Sequence, residues 1–127
     1  IQNNVLYLSD NDKQIKTSQM KETFGEYIKR LRNENGLTLT QLAARLDLDS
    51  ANLSKIENGK RDFDEKRLGQ LSMALNLDLN LLKTEFYGNL FAKKLYENQC
   101  SNDVLIVAEK KVEYLRSANV KQTNLDL

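Results

Sequence analysis

The chain has 127 residues, of which 40% are hydrophobic, and its 19 Lys and Arg nearly balance its 18 Asp and Glu. This length accommodates one compact domain with a helical extension. The absence of histidine from the sequence excludes His-based catalytic triads and His-containing zinc sites.

Other compositional features narrow the class of protein further. The single cysteine, Cys100, cannot form an internal disulfide, which agrees with a reducing compartment. No apolar run approaches the roughly 20 residues of a membrane span, and no signal-peptide pattern is visible. The composition therefore predicts a cytoplasmic protein that is not an enzyme and holds no metal or cofactor.

The first 19 residues are the least informative part of the sequence. They begin with a brief apolar run, Val5 to Leu8, and continue with mainly Asn, Asp, Ser, Lys and Gln. The run fits a strand, a docking arm or the remnant of an upstream segment. We expect residues 1–19 to be a poorly ordered or accessory segment, or a fused or expression-derived one, ahead of a domain over residues 20–87.

Two helices are predicted next. The first covers about residues 23–35 and closes at Gly36; its core-spaced apolar residues are Phe24, Tyr27, Ile28 and Leu31. The second begins at Thr38, which forms a capping-box pattern with Gln41. Its apolar stripe consists of Leu39, Leu42, Ala43 and Leu46.

A third short helix follows a tight turn at residues 47–49. Asp49 is suited to cap this helix, and Asn58-Gly59 is suited to end it. Leu53 and Ile56 would face inward. The outer face would then carry Ser50, Ala51, Asn52 and Lys55.

These residues give residues 24–87 a clear resemblance to the Cro/repressor-type helix-turn-helix domain, the family of phage repressors and xenobiotic-response-element regulators. The matching positions are Leu42-Ala43, Leu53 and the run from Ser54 to Lys60. Two positions depart from the family pattern. Asp47 replaces the usual turn glycine, although Asp tolerates left-handed backbone, and Leu39 replaces a Gln that usually touches a phosphate.

The resemblance implies a domain that binds double-stranded DNA, with Ser50, Ala51 and Lys55 at the base-reading positions. Helix geometry adds Asn52 to the candidates for base contacts. The candidates for phosphate contacts, which set register without reading sequence, are Thr40, Asn58, Lys60 and Arg61. The resemblance also implies a structural ion pair between Arg32 and Glu57.

The rest of the chain predicts further helices and no strands. Leu68, Leu71 and Leu75 mark a fourth helix, and Asp78 is suited to cap a fifth. Residues 88–127 would add a two-helix extension to this all-α, five-helix domain. The extension's apolar positions, which are candidates for dimerisation, are Leu90, Phe91, Leu95, Val104, Ala108, Val112 and Leu115.

Two arrangements of the extension remain open, because its apolar faces can pack on the same domain or on another subunit. A two-fold dimer would place two recognition helices about 34 Å apart, as a palindromic operator requires. The preferred interpretation is a dimeric repressor or controller, and residues 107–115 resemble regulators found in restriction–modification systems. The alternatives are an antitoxin that covers a toxin with its extension and represses its own operon, and a protein-interaction module that does not bind DNA.

Overall fold

The computed structural model describes residues 20–126, with side chains up to residue 120, and the predicted segment at residues 1–19 lies outside this range. The described residues contain helices and no strands, so the all-α prediction is confirmed for them. A short 3-10 turn at Glu65–Arg67 precedes the fourth helix. In chain order the helices are α1 (Phe24–Glu34), α2 (Leu39–Arg45), α3 (Ser50–Glu57), α4 (Leu68–Leu75), α5 (Leu79–Glu97) and α6 (Asp103–Asp126).

The helix starts are formed by the predicted side-chain caps. At α2, Thr38 Oγ1 accepts from the Gln41 backbone N–H at 3.1 Å, and Gln41 Oε1 accepts from the Thr38 backbone N–H at 2.8 Å. At α3, Asp49 Oδ1 accepts from the Asn52 backbone N–H at 2.7 Å. Each cap satisfies backbone donors that a helix start leaves unpaired, and is worth about 1 kcal/mol.

The ends of α1 and α3 are set by glycines in the left-handed conformation. Gly36 has φ +68° and Gly59 has φ +75°. Past each glycine the next backbone N–H returns to the helix: Leu37 donates to the Arg32 carbonyl at 3.0 Å, and Lys60 donates to the Lys55 carbonyl at 2.8 Å. This is the Schellman pattern of helix termination, and it fixes where the chain leaves α3.

The turn between α2 and α3 keeps its shape without a glycine. Asp47 adopts φ 55°, the left-handed conformation that the sequence required of it. Gln70 of α4 donates from Nε2 to Asp47 Oδ2 at 3.0 Å, and Arg67 Nη1 donates to the Leu46 carbonyl. The turn is therefore held from outside by α4 as well as by its own backbone.

The chain divides into two compact units, one ending at Leu90 and the other beginning at Phe91. In the first unit α1 packs on α3, α3 on α2 and α2 on α4. Leu39, the departure from the family pattern in α2, is partly buried against the core of this unit. The buried apolar residues of the core are Phe24, Tyr27, Ile28, Leu31, Leu42, Ala43, Leu46, Leu53, Ile56, Phe63, Leu68, Leu71, Leu75 and Leu82.

The prediction of two separate helices between residues 79 and 97 is wrong, because α5 runs through this range without a break. Gly88 resembles a helix stop, but it does not adopt the left-handed conformation, since the glycines with positive φ are Gly36 and Gly59. The chain leaves α5 at Gln99 and Cys100. Gln99 has φ 54°, and the Cys100 N–H donates to the Leu95 carbonyl at 3.0 Å.

The second unit consists of the end of α5 and all of α6. Many of its apolar side chains are exposed: Val104 and Val112 are each 41% exposed, and Leu115 is 61% exposed. Within the described residues, no helix is both long and apolar enough to cross a membrane.

Candidate nucleic-acid interface

The recognition helix α3 presents one polar face to solvent. Leu53, Ile56 and Glu57 are buried against the rest of the first unit. Since successive residues are separated by 100° around a helix, Ala51 and Lys55 lie opposite this buried side, and both are exposed. The centre of the outer face is therefore defined by Ala51 and Lys55.

Ser50 lies on one flank of this face and joins the two helices of the motif. It is half-buried, and its hydroxyl donates to Thr40 Oγ1 at 3.2 Å. Thr40 itself is exposed in the first turn of α2. The contact places a base-reading candidate and a phosphate-binding candidate side by side.

Asn52 lies on the opposite flank and is half-buried. Its Oδ1 accepts from Arg61 Nη1 at 2.8 Å, and its Nδ2 donates to Asp49 Oδ2 at 3.2 Å. Both polar atoms of the amide thus have partners within the protein. The sequence alone does not indicate this contact, because it depends on the path of the loop that follows α3.

Exposed cations lie in the last turn of α3 and in the loop that follows it. Lys55, Lys60 and Arg61 are all exposed, and so is Asn58, whose Nδ2 donates to Ser54 Oγ at 3.4 Å. Two acidic residues, Asp47 before α3 and Asp62 after it, are also exposed. Exposed charges of both signs are therefore close to α3 in the sequence, in line with the nearly neutral charge of the whole chain.

Arg32 and Glu57 join α1 to α3. Arg32 donates from Nε and Nη2 to the two Glu57 carboxylate oxygens at 2.8 and 3.0 Å, and from Nη1 to the Leu37 carbonyl at 3.0 Å. The side chains are 11% and 3% exposed, respectively. The hydrogen bonds to Glu57 raise the pKa of Arg32, so the guanidinium keeps its charge at every relevant pH. Arg32 therefore orients α3 and is not placed to contact a ligand.

Gly25 is a supporting residue that sequence patterns did not single out. A Cβ at this position would lie 2.2 Å from the Ile56 carbonyl oxygen, so α1 can approach the end of α3 only because residue 25 has no side chain. The sequence feature that could have pointed to Gly25 is a glycine next to Phe24 in a strongly amphipathic helix, where a better helix former would be expected.

A family model described as Helix-turn-helix matches residues 28–82. The 10 kDa protein of the ImmF control region of Bacillus phage phi105 is 41% identical over 59 residues, 46% of this chain and 66% of the phage protein. The control protein C.MunI of Mycoplasma sp is 38% identical over 66 residues, 51% of this chain and 89% of C.MunI. The HTH-type transcriptional repressor RghR of Bacillus subtilis (strain 168) is 50% identical over 40 residues, 32% of this chain and 30% of RghR.

The chain therefore belongs to the helix-turn-helix family. The chain spans 66% of the length of the phage protein and less than a third of RghR. The family match ends at residue 82, so α6 lies outside it.

Proposed function

We propose that the protein is a sequence-specific repressor or controller that binds a palindromic operator in double-stranded DNA as a homodimer. The observation that carries this proposal is the outer face of α3, where Ala51 and Lys55 are exposed while Leu53 and Ile56 anchor the helix from behind. An α-helix of this kind fits the major groove of B-DNA, which is about 12 Å wide. The names of C.MunI, a control protein, and RghR, a transcriptional repressor, support this role.

The base contacts are assigned to Ser50, Ala51 and Lys55. The N-terminal part of a recognition helix enters the groove first. The Lys55 ammonium can donate to the O6 and N7 acceptors of guanine, the Ala51 methyl can pack on the methyl of thymine, and a serine hydroxyl can donate or accept. These groups lie on one side of one helix, so they would read adjacent base pairs.

Phosphate contacts would hold this helix in register. Thr40 lies beside Ser50 on one flank of α3, Arg61 contacts Asn52 on the other flank, and Asn58 and Lys60 follow the end of the helix. Such contacts supply affinity for any sequence and make it salt-dependent. With so few cations, one domain would bind non-specific DNA weakly, and a second copy would be needed for a tight complex.

The contact between the two copies is assigned to the apolar surface of the second unit. Exposed apolar residues of α6 repeat at helical spacing from Val104 through Ala108 and Val112 to Leu115. A stripe of this kind is stabilised only when it is covered. Pairing of two copies would create the two-fold symmetry that a palindromic site matches.

Selection of bound duplexes from random DNA tests the proposal. The wild-type protein is expected to enrich one sequence with two-fold symmetry. Lys55→Ala should weaken binding to that duplex by about 1–3 kcal/mol and relax selectivity at one position of each half-site, because one base contact is lost. Lys83→Ala removes an equivalent exposed charge from α5 and serves as the matched control.

Two results would contradict the proposal. Enrichment of no sequence by the wild-type protein would favour the interaction-module hypothesis. Equal losses for Lys55→Ala on selected and random duplexes would assign Lys55 to a phosphate instead of a base.

A further inference from the structure

We propose that Asn52 is a positioning residue, which holds the guanidinium of Arg61 beside the recognition helix so that Arg61 binds a backbone phosphate. This inference rests on the proposed function. It assigns Asn52 a role different from that of its neighbours on α3, because Asn52 would set the geometry of a DNA contact without reading a base.

The hydrogen bonds of the Asn52 amide argue against a base contact by this residue. Asparagine reads adenine through a bidentate contact that uses both its amide oxygen and its amide nitrogen. In this protein the oxygen accepts from Arg61 at 2.8 Å and the nitrogen donates to Asp49 at 3.2 Å. Reading adenine would require both contacts to break, and the base would then replace hydrogen bonds that already exist.

Asp49 fixes which way the amide points. Its Oδ1 caps α3 by accepting from the Asn52 backbone N–H, and its Oδ2 accepts from the Asn52 side-chain nitrogen. A carboxylate only accepts, so the amide nitrogen must face Asp49 and the amide oxygen must face Arg61. The helix cap thus orients the group that receives the guanidinium.

Arg61 has the chemistry for the phosphate contact. Its guanidinium carries five N–H donors in a rigid fork that matches phosphate oxygens, and the contact with Asn52 involves Nη1. The residue is exposed, on the flank of α3 opposite the flank where Ser50 meets Thr40. Thr40 and Arg61 would therefore hold the helix from its two sides.

Preorganisation of Arg61 is the expected benefit. An exposed arginine loses side-chain freedom when it binds a phosphate, which weakens the complex. Asn52 imposes part of this order before DNA arrives. Loss of the Asn52 contact should therefore weaken DNA binding about three- to tenfold, because the complex then has to order one more long side chain.

The first experiment needs no DNA. Relaxation of the Arg61 side-chain Nε–H in the NMR spectrum is compared between the wild-type protein and Asn52→Ala. We expect Arg61 to be ordered in the wild type and mobile in the variant. Arg45, which donates to the Ala74 carbonyl at 3.1 Å, should be unchanged in both and serves as the reference. Equal mobility of Arg61 in both proteins would overturn the inference, whatever the protein binds.

The second experiment measures affinity for the duplex selected by the wild-type protein and for a scrambled duplex of the same composition. Asn52→Ala should lose the same three- to tenfold affinity on both duplexes, and should cause no further loss when Arg61 is already alanine. Asn80→Ala, an exposed Asn on α5, is the matched control, and thermal unfolding of each variant checks the fold.

A loss on the selected duplex alone, independent of Arg61, would show that Asn52 reads a base, and would overturn the inference while leaving the proposed function intact. An ordered Arg61 that depends on Asn52, in a wild-type protein that selects no duplex and binds no random DNA, would refute both the phosphate role and the proposed function.

Discussion

At the scale of single residues, the charges of this domain divide into those that orient helices and those that face solvent. Arg32 and Arg30 lie two residues apart on α1, and both form ion pairs. Arg32 meets the 3%-exposed Glu57 through two hydrogen bonds, whereas Arg30 bridges Glu22 and Glu34, which are 15% and 32% exposed. Burial determines how much each pair contributes to the free energy of unfolding, because removing one partner of a buried pair leaves a charge that water cannot reach.

Arg32→Ala should therefore lower the free energy of unfolding by about 3 kcal/mol, since it leaves the Glu57 carboxylate buried without its partner. Arg30→Ala should lower it by less, because Glu22 and Glu34 remain partly accessible to water after Arg30 is removed. Urea denaturation of the two variants measures both values. Equal losses would show that the Arg32–Glu57 pair contributes no more than the partly exposed pairs of Arg30.

At the scale of helices, the sequence predicts where a helix begins or ends better than it predicts how far a helix continues. Thr38, Asp49 and Gly59 define helix ends through local hydrogen bonds, so their positions could be predicted from the sequence. The length of α5 could not be predicted from the sequence. A glycine such as Gly88 occurs both at helix ends and in helix interiors, and the neighbouring residues do not distinguish the two cases. The Asn52–Arg61 contact was also beyond prediction, since it joins α3 to a loop whose path is set by packing.

The crossing of α1 and α3 depends on Gly25, and Gly25→Ala should destabilise the domain by about 1–3 kcal/mol. The added methyl would meet the Ile56 carbonyl oxygen, which is backbone and cannot rotate away. The two helices would have to separate, and that movement also strains the Arg32–Glu57 pair at the same interface.

Gly88→Ala is the matched control for this prediction. Apart from its chain neighbours and the adjacent backbone of α5, no atom of the described residues lies within 4 Å of a Cβ built at residue 88. This variant should therefore gain about 0.5–1 kcal/mol from the better helix propensity of alanine. Thermal unfolding of both variants distinguishes the effects, and a stabilised Gly25→Ala protein would contradict the close approach of α1 to α3.

At the scale of the whole molecule, the two units differ in how they use apolar residues. Most apolar side chains of the first unit's core come from α1 to α5 and are buried, with Leu42, Leu53 and Leu82 fully covered. In the second unit, α6 exposes Leu105, Ile106 and Val107 by about half. The second unit would therefore gain stability from a surface that covers these side chains.

A second copy of the chain is the partner that the DNA-binding proposal requires, and Leu115→Lys tests it. Leu115 lies on the stripe with Val104 and Ala108, and a lysine there would place a charge in the dimer contact. We expect dimerisation, measured by analytical ultracentrifugation, to weaken at least tenfold, which corresponds to the loss of about one buried leucine. Operator affinity should fall with it, because each monomer then contacts one half-site.

Ser117→Lys adds the same charge two residues further on, about 200° around α6 and away from the stripe. It should leave both the dimer and the operator affinity unchanged. If Ser117→Lys dissociates the dimer equally, the stripe is not the contact surface. If the wild-type chain is a monomer at tens of micromolar, the stripe is left for a different protein, as the antitoxin hypothesis requires, and the two-fold symmetry of the operator loses its physical basis.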